Sequence, residues 1–302
     1  MSTDLDHLSP QFRLIALKPS EERINWIQQD RWISYPRAEK ALTSINELLD
    51  CPTRTRMPCL LITGAPGMGK THIIERFVRT HPAEFDEKAG TTRRRVTALQ
   101  MPPEPVEKEF YEELLLSMDA VVPAGGSVAT PRARTRTFAK QLGLRLIIID
   151  EIHAMLAGTF RQQRILLNSL RFLANDLHLP LVCAGTHEAH QALLTDQQLA
   201  ERFAVFELPK WKDEDAFVQL LNTFASLLPL RRSSELGSPK IRQRVLALTE
   251  GVTVRICRVL EAAAIAAIAH GTEEITLDSL SDDLVARSLV SISDRRRRRG
   301  AA

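Results

Sequence analysis

Between Cys59 and Leu208, short apolar runs alternate with longer stretches whose apolar residues recur at helical spacing. Cys59-Leu-Leu-Ile-Thr63, Arg95-Val-Thr-Ala-Leu-Gln100, Leu144–Ile149, Leu179–Ala184 and Ala204–Leu208 read as strands. Lys70–Arg79, Glu107–Met118, a basic stretch near Arg132–Leu142 and Arg161–Leu177 read as the helices between them. Pro123–Thr130, rich in Pro, Gly and small residues, reads as a loop. Strands alternating with helices predict an α/β domain, a parallel sheet sandwiched by helices. After Pro209 the pattern changes. Asp213–Leu228, Pro239–Thr249, Val254–Ala269 and Leu277–Ser288 all read as helices with no strand between them, which predicts a small, separate all-helical domain.

Ahead of the first strand, residues 1–58 are polar. Helical stretches are expected at Ser20–Gln29 and Arg37–Leu49, and Pro52 and Pro58 bracket a basic linker holding Arg54 and Arg56. The chain ends in five consecutive arginines, Arg295–Arg299. The expected division is therefore an N-terminal helical and linker segment (1–58), the α/β domain (59–209), the helical domain (210–290) and a flexible Arg-rich tail (291–302).

Composition narrows the function classes. With 44% hydrophobic residues in 302, the chain can bury a sizeable core. The formal net charge of +3 is too small for bulk charge to imply nucleic-acid binding, so only local patches could serve it. Aromatic residues make up 5%, which argues against stacking of single-stranded bases as the main activity. Cys51, Cys59, Cys183 and Cys257 form no CxxC pair and no zinc-ligand spacing, and read as reduced thiols of a cytosolic protein. No run reaches the roughly 18 apolar residues needed to span a bilayer, and Met1–Ser20 lacks the apolar core of a signal peptide. A cytoplasmic protein with no membrane partner is expected.

The chemistry is concentrated in two places. Gly64-Ala65-Pro66-Gly67-Met68-Gly69-Lys70-Thr71 satisfies GxxxxGK[ST] at every fixed position, directly after an apolar run and before a helix. Glycines there let backbone N–H groups turn toward phosphate oxygens, and the helix N-terminus adds positive potential. Lys70 is expected at the β- and γ-phosphates of ATP, and the Thr71 hydroxyl on Mg²⁺. Leu146-Ile-Ile-Ile-Asp150-Glu151 has the form of a buried strand ending in two carboxylates at the catalytic edge of the sheet. Asp150 is expected to hold the Mg²⁺ and Glu151 to orient or activate the attacking water.

Four further positions carry competing readings. Thr186, at the tip of Leu181–Gly185, could position the water beside the γ-phosphate or cap the next helix. Arg202, just before the last strand, could enter a neighbouring subunit's ATP site as an arginine finger or form a surface salt bridge with Glu201 or Asp196. Arg255, after Gly251, could touch the γ-phosphate or simply sit at a solvated helix start. His153 completes an Asp-Glu-Ile-His string that also occurs in superfamily-2 helicases. Those need a second RecA-like domain, for which the helical C-terminal part leaves no room, so His153 is expected to play a local structural role.

Taken together, the sequence resembles the AAA+ P-loop ATPases, and within them the TniB family of transposon-encoded ATP-binding proteins. The stretches that carry the second resemblance are Trp32-Ile-Ser-Tyr35-Pro36, Arg56-Met-Pro58, Gln100-Met-Pro-Pro103, Asp150 through Gly158, Arg161-Gln-Gln163, Ala184 through Ala189, Asp196-Gln-Gln-Leu199, and Arg202-Phe203 through Pro209-Lys-Trp211. They span roughly residues 30–290; the first 20 residues and the Arg-rich tail lie outside the match. The resemblance implies a helical lid at 210–290 and an ATP-hydrolysing homo-oligomer, as a ring or helical filament, with Arg202 acting in trans. It further implies assembly on double-stranded DNA without sequence reading, and recruitment of a DDE-type transposase. Alternatives are an initiator or clamp-loader type ATPase that loads another protein on DNA, and a nucleotide-switched scaffold that scarcely hydrolyses ATP.

Three basic clusters compete for DNA: Arg93–Arg95, the set Arg132, Arg134, Arg136 and Lys140, and Arg295–Arg299. On a helix, Arg132, Arg136 and Lys140 share one face, and such a stripe can follow a phosphate backbone. An ordinary solvated face would look the same.

Overall fold

The computed structural model describes residues 5–281 apart from 89, 123–126 and 195. Two short helices, α1 (Pro10–Ala16) and α2 (Ser20–Ile27), precede α3 (Pro36–Leu49). Strand β1 (Cys59–Gly64) leads into α4 (Lys70–Thr80), a small hairpin of β2 (Glu84–Asp86) and β3 (Thr91–Arg93), and β4 (Val96–Gln100). Helices α5 (Glu107–Ser117) and α6 (Ala129–Gln141) come before β5 (Leu146–Asp150). A 3₁₀ turn (Ile152–Ala157), α7 (Phe160–Leu177), β6 (Leu181–Gly185), α8 (His187–Leu194), α9 (Gln197–Ala200) and β7 (Phe203–Leu208) complete this part. Then α10 (Asp215–Leu227), α11 (Pro239–Thr249) and α12 (Thr253–His270) follow.

The chain forms two compact units, Arg37–Pro209 and the discontinuous pair Met1–Pro36 with Lys210–Ala302. The boundary near 209 coincides with the change of pattern in the sequence. The N-terminal segment does not stay together: its first two helices belong with the C-terminal helices, and α3 belongs with the α/β unit. Long-range packing and one buried ion pair explain this. Ile27 of α2 joins the core formed by Phe217, Phe224, Ile256 and Leu260. Arg23, 0% exposed, donates to both oxygens of Glu273 at 2.7 Å and to Pro229 O at 3.0 Å. Residues 277–281 of the expected helix Leu277–Ser288 form a turn, a bend and one residue without regular structure, and 282–288 lie outside the described residues.

The α/β unit has five strands in the order β4-β5-β6-β1-β7, every neighbouring pair parallel. All residues of β1, β5 and β6 are buried, because helices cover both faces of the central strands. β7 lies at the edge and exposes Ala204, Val205 and Glu207. Two strands begin later than their apolar runs suggest. Leu144 and Leu179 are buried, but they pack into the core from the connections before β5 and β6.

Helix ends follow local chemistry. α4 starts immediately after Gly69 at φ +92°, and buries Lys70, Ile73, Ile74 and Phe77 on one stripe. α7 opens on a capping box between Thr159 and Gln162.

Candidate nucleotide site

Strands β1, β5 and β6 all point their C-terminal ends to the same edge of the parallel sheet, so the two acidic-glycine motifs meet there. Gly67 (φ +78°) and Gly69 (φ +92°) take left-handed backbone that an L side chain rarely adopts, which bends the loop over the start of α4. Gly64 has a second constraint. A Cβ on it would meet Leu208 O of the neighbouring β7 at 2.8 Å.

Lys70 is 5% exposed, and its ammonium donates to Gly64 O at 2.9 Å and Ala65 O at 3.2 Å. Burial lowers its pKa, while the charges of Glu151 and then Asp150 pull it back up. Across the site, Thr71 Oγ1 donates to Asp150 Oδ2 at 2.6 Å, and the other oxygen of Asp150 accepts from Glu151 N at 2.8 Å. A hydroxyl and a carboxylate brought together at the phosphate loop are hard oxygen donors, the type Mg²⁺ takes alongside phosphate oxygens. The residues present therefore fit a Mg-nucleotide. Among the described residues no cluster of His, Cys, Asp and Glu offers an all-protein metal site.

Glu151 itself occupies left-handed backbone at φ +53°, costly for a residue with a Cβ. Its carboxylate lies 3.2 Å from His153 Nε2. Neither histidine nor backbone turn was assigned to the site by the sequence motifs; the Asp-Glu-Ile-His string was the available signal.

Thr186 directly follows β6, and its hydroxyl donates to Glu188 while its carbonyl accepts from Ala189 N at 3.1 Å. The Glu188 carboxyl is held below the usual range, first by that hydroxyl, with His153 and His187 contributing electrostatically. Arg202 lies at the opposite edge of the sheet. Cys59 pairs with Phe203 and Gly64 with Leu208, so Arg202 sits beyond the start of a strand about 16 Å long, at about 3.3 Å per residue. Its guanidinium donates to Asn175 Oδ1 at 2.6 Å, whereas Asp196 pairs with Arg171 at 3.3 Å. Arg255, in the helical unit, pairs with Glu250 at 2.9 Å in the first turn of α12.

The basic stripe of α6 is partly neutralised. Arg136 forms a two-pronged pair with Asp176 (2.5 and 2.7 Å) and lies over Phe172, and Arg132 approaches Glu107 at 3.8 Å. Lys140 is exposed. Arg93, Arg94 and Arg95 pair with Asp86, Asp119 and Asp50. The Arg295–Arg299 cluster lies outside the described residues. No described helix is long and apolar enough to cross a membrane.

A family model described as Bacterial TniB protein matches residues 23–213. No curated protein matches the chain. Among solved structures, the chain is similar to Cdc6p from Pyrobaculum aerophilum (TM-score 0.62, 17% identity, 90% of this chain and 73% of that one). It is also similar to the ORC2 protein of Aeropyrum pernix in ADPNP–ADP complexes (TM-score 0.59, 15% identity, 88% and 73%). The ORC1 protein of Aeropyrum pernix in complex with DNA gives a TM-score of 0.59 at 16% identity (87% and 68%). These likenesses establish the AAA+ fold: the parallel sheet with its flanking helices, followed by C-terminal helices.

Proposed function

As the chain belongs to the TniB family, we propose that it is a Mg-ATP-dependent AAA+ ATPase that delivers DNA to a DDE-type transposase. It would assemble as a ring or filament of identical subunits on duplex DNA. The observation that carries the nucleotide reading is the 2.6 Å contact between Thr71 and Asp150 beside the buried Lys70. Two separate motifs, placed on β1 and β5, meet as one oxygen-rich site.

In this reading the loop from Gly64 to Gly69 cradles the phosphates with backbone N–H groups. Lys70 leaves the Gly64 and Ala65 carbonyls to bind β- and γ-phosphate oxygens, and Thr71 and Asp150 hold the Mg²⁺. Bound Mg²⁺ supplies charge neutralisation on the phosphate oxygens. Glu151 orients the attacking water and accepts its proton as the bond to the γ-phosphorus forms and ADP leaves. Thr186 holds that water from the β6 side. Arg255 touches the γ-phosphate from the lid, and Arg202 stabilises charge in the neighbouring subunit's site.

Glu151→Gln keeps the side-chain shape but removes the carboxylate, so it should bind ATP and hold it unhydrolysed. Lys70→Ala should lose ATP binding. Wild-type turnover in the first variant, or undiminished ATP affinity in the second, would overturn the site assignment. For recruitment, the ATP- and DNA-bound chain should retain a DDE transposase encoded by the same element. An initiator or clamp-loader type ATPase would leave it unbound.

A further inference from the structure

His153 is the one residue at the site whose arrangement the phosphate-binding machinery leaves unexplained. Its ring sits in the 3₁₀ turn that follows Glu151, with Nε2 3.2 Å from Glu151 Oε2. Its other nitrogen, Nδ1, is buried with no hydrogen-bond partner among the described residues. An orphaned buried nitrogen next to a left-handed Glu151 is two destabilising features in three residues. Both follow from a turn tight enough to bring the ring back onto the carboxylate. The turn is also pinned from the far side. A Cβ on Gly185, at the end of β6, would meet Ile152 Cγ2 at 2.9 Å and His153 N at 3.4 Å. The backbone of the turn therefore lies against the end of β6, just before Thr186, whose hydroxyl donates to Glu188.

We propose that His153 is a positioning residue for hydrolysis: its Nε2–H holds the Glu151 carboxylate in the orientation that faces the phosphate side of the site. A proton on Nε2 pairs the ring with the carboxylate across that 3.2 Å, while Nδ1 has no hydrogen-bond partner among the described residues. The carboxylate also belongs to the electrostatic surroundings of Lys70, whose ammonium it favours against the effect of burial. Without the ring, the Glu151 carboxylate loses the one side chain that holds it among the described residues. The step that suffers is orientation of water, and nucleotide binding through Lys70 and Thr71 is untouched.

This inference rests on the ATPase reading above. It is tested with the full chain on duplex DNA, comparing wild type, His153→Ala, His153→Gln, Glu151→Gln and the double variant His153→Ala/Glu151→Gln. His153→Ala should lower kcat by about 10- to 100-fold, the scale of a catalytic group misplaced by about 1 Å, with ATP affinity within about twofold. Its ATP-bound complex should persist longer on DNA. His153→Gln places an amide N–H close to the Nε2 position and should recover most of the turnover. The double variant should be no slower than Glu151→Gln, because both changes act on one group. A wild-type kcat in His153→Ala, with Glu151→Gln inactive, would overturn the positioning role and leave the ATPase reading standing. Parallel loss of kcat, ATP affinity and melting temperature without rescue by glutamine would also overturn it, as a purely structural role. Undiminished turnover in Glu151→Gln would overturn both.

Discussion

Arg202 cannot serve its own phosphate loop without refolding β7. The strand's register with β1 sets it beyond the far end of a strand about 16 Å long from the end that carries Gly64. An arginine side chain spans far less than that, so any catalytic role must be played in a second subunit. Arg202→Ala should then bind ATP normally but hydrolyse it about 10³- to 10⁵-fold more slowly, the range observed for arginine fingers. Mixing makes the test specific. Arg202→Ala and Glu151→Gln should each be inactive alone. In a one-to-one mixture of head-to-tail subunits, about a quarter of interfaces join an intact Glu151 to an intact Arg202. ATPase measured on DNA should rise from near zero to about a quarter of the wild-type rate per subunit, since each such interface is a complete site. No recovery, with mixed oligomers demonstrated by differential labelling, would refute the shared site. The Arg202–Asn175 contact would then stand as a local structural bond.

Because Arg136 is already paired with Asp176 and Lys140 is exposed, Lys140→Ala should reduce the slope of log affinity against log salt for duplex DNA, by about 0.9 per phosphate contact, more than Arg136→Ala does; an unchanged slope would move the DNA site off this face of α6. Arg23→Ala breaks a buried pair and should destabilise the helical unit by about 3–5 kcal/mol, read by chemical denaturation. Burial raises the Glu273 pKa, but the Arg23 hydrogen bonds, the Arg231 amide and both arginine charges outweigh it, so the folded value is lowered. The pair's contribution is therefore present above the ordinary carboxylate value of 4.5 and is lost as pH falls below it; Arg23→Ala should show a flatter acid limb, and an identical limb would contradict the linkage.

The sheet and its nucleotide edge were legible because the signals are local. A glycine-rich turn between an apolar run and a helix, and four apolar residues feeding Asp150 and Glu151, specify strand ends without reference to the rest of the chain. Features built from distant contacts were not. Arg23 and Glu273 are 250 residues apart, so nothing in the polar N-terminal segment shows that α2 packs with the C-terminal helices. The hairpin of β2 and β3 exposes most of its six residues and has no apolar alternation to reveal it. The left-handed backbone at Glu151 carries no glycine or asparagine to announce it, which is why the approach of His153 to the carboxylate emerged only in three dimensions. The basic stripe of α6 was readable as a face, but its carboxylate partners on α5 and α7 were not.

If the proposed function holds, ATP held at Lys70, Thr71 and Asp150 drives assembly of this chain on DNA. Electron microscopy of the purified protein with plain duplex DNA tests it most directly, comparing ATP, ADP and the Lys70→Ala variant with ATP. Regular rings or filaments should form on DNA with ATP, and none with ADP or with Lys70→Ala. Single, unassociated subunits with ATP, or the same assemblies with Lys70→Ala, would contradict it.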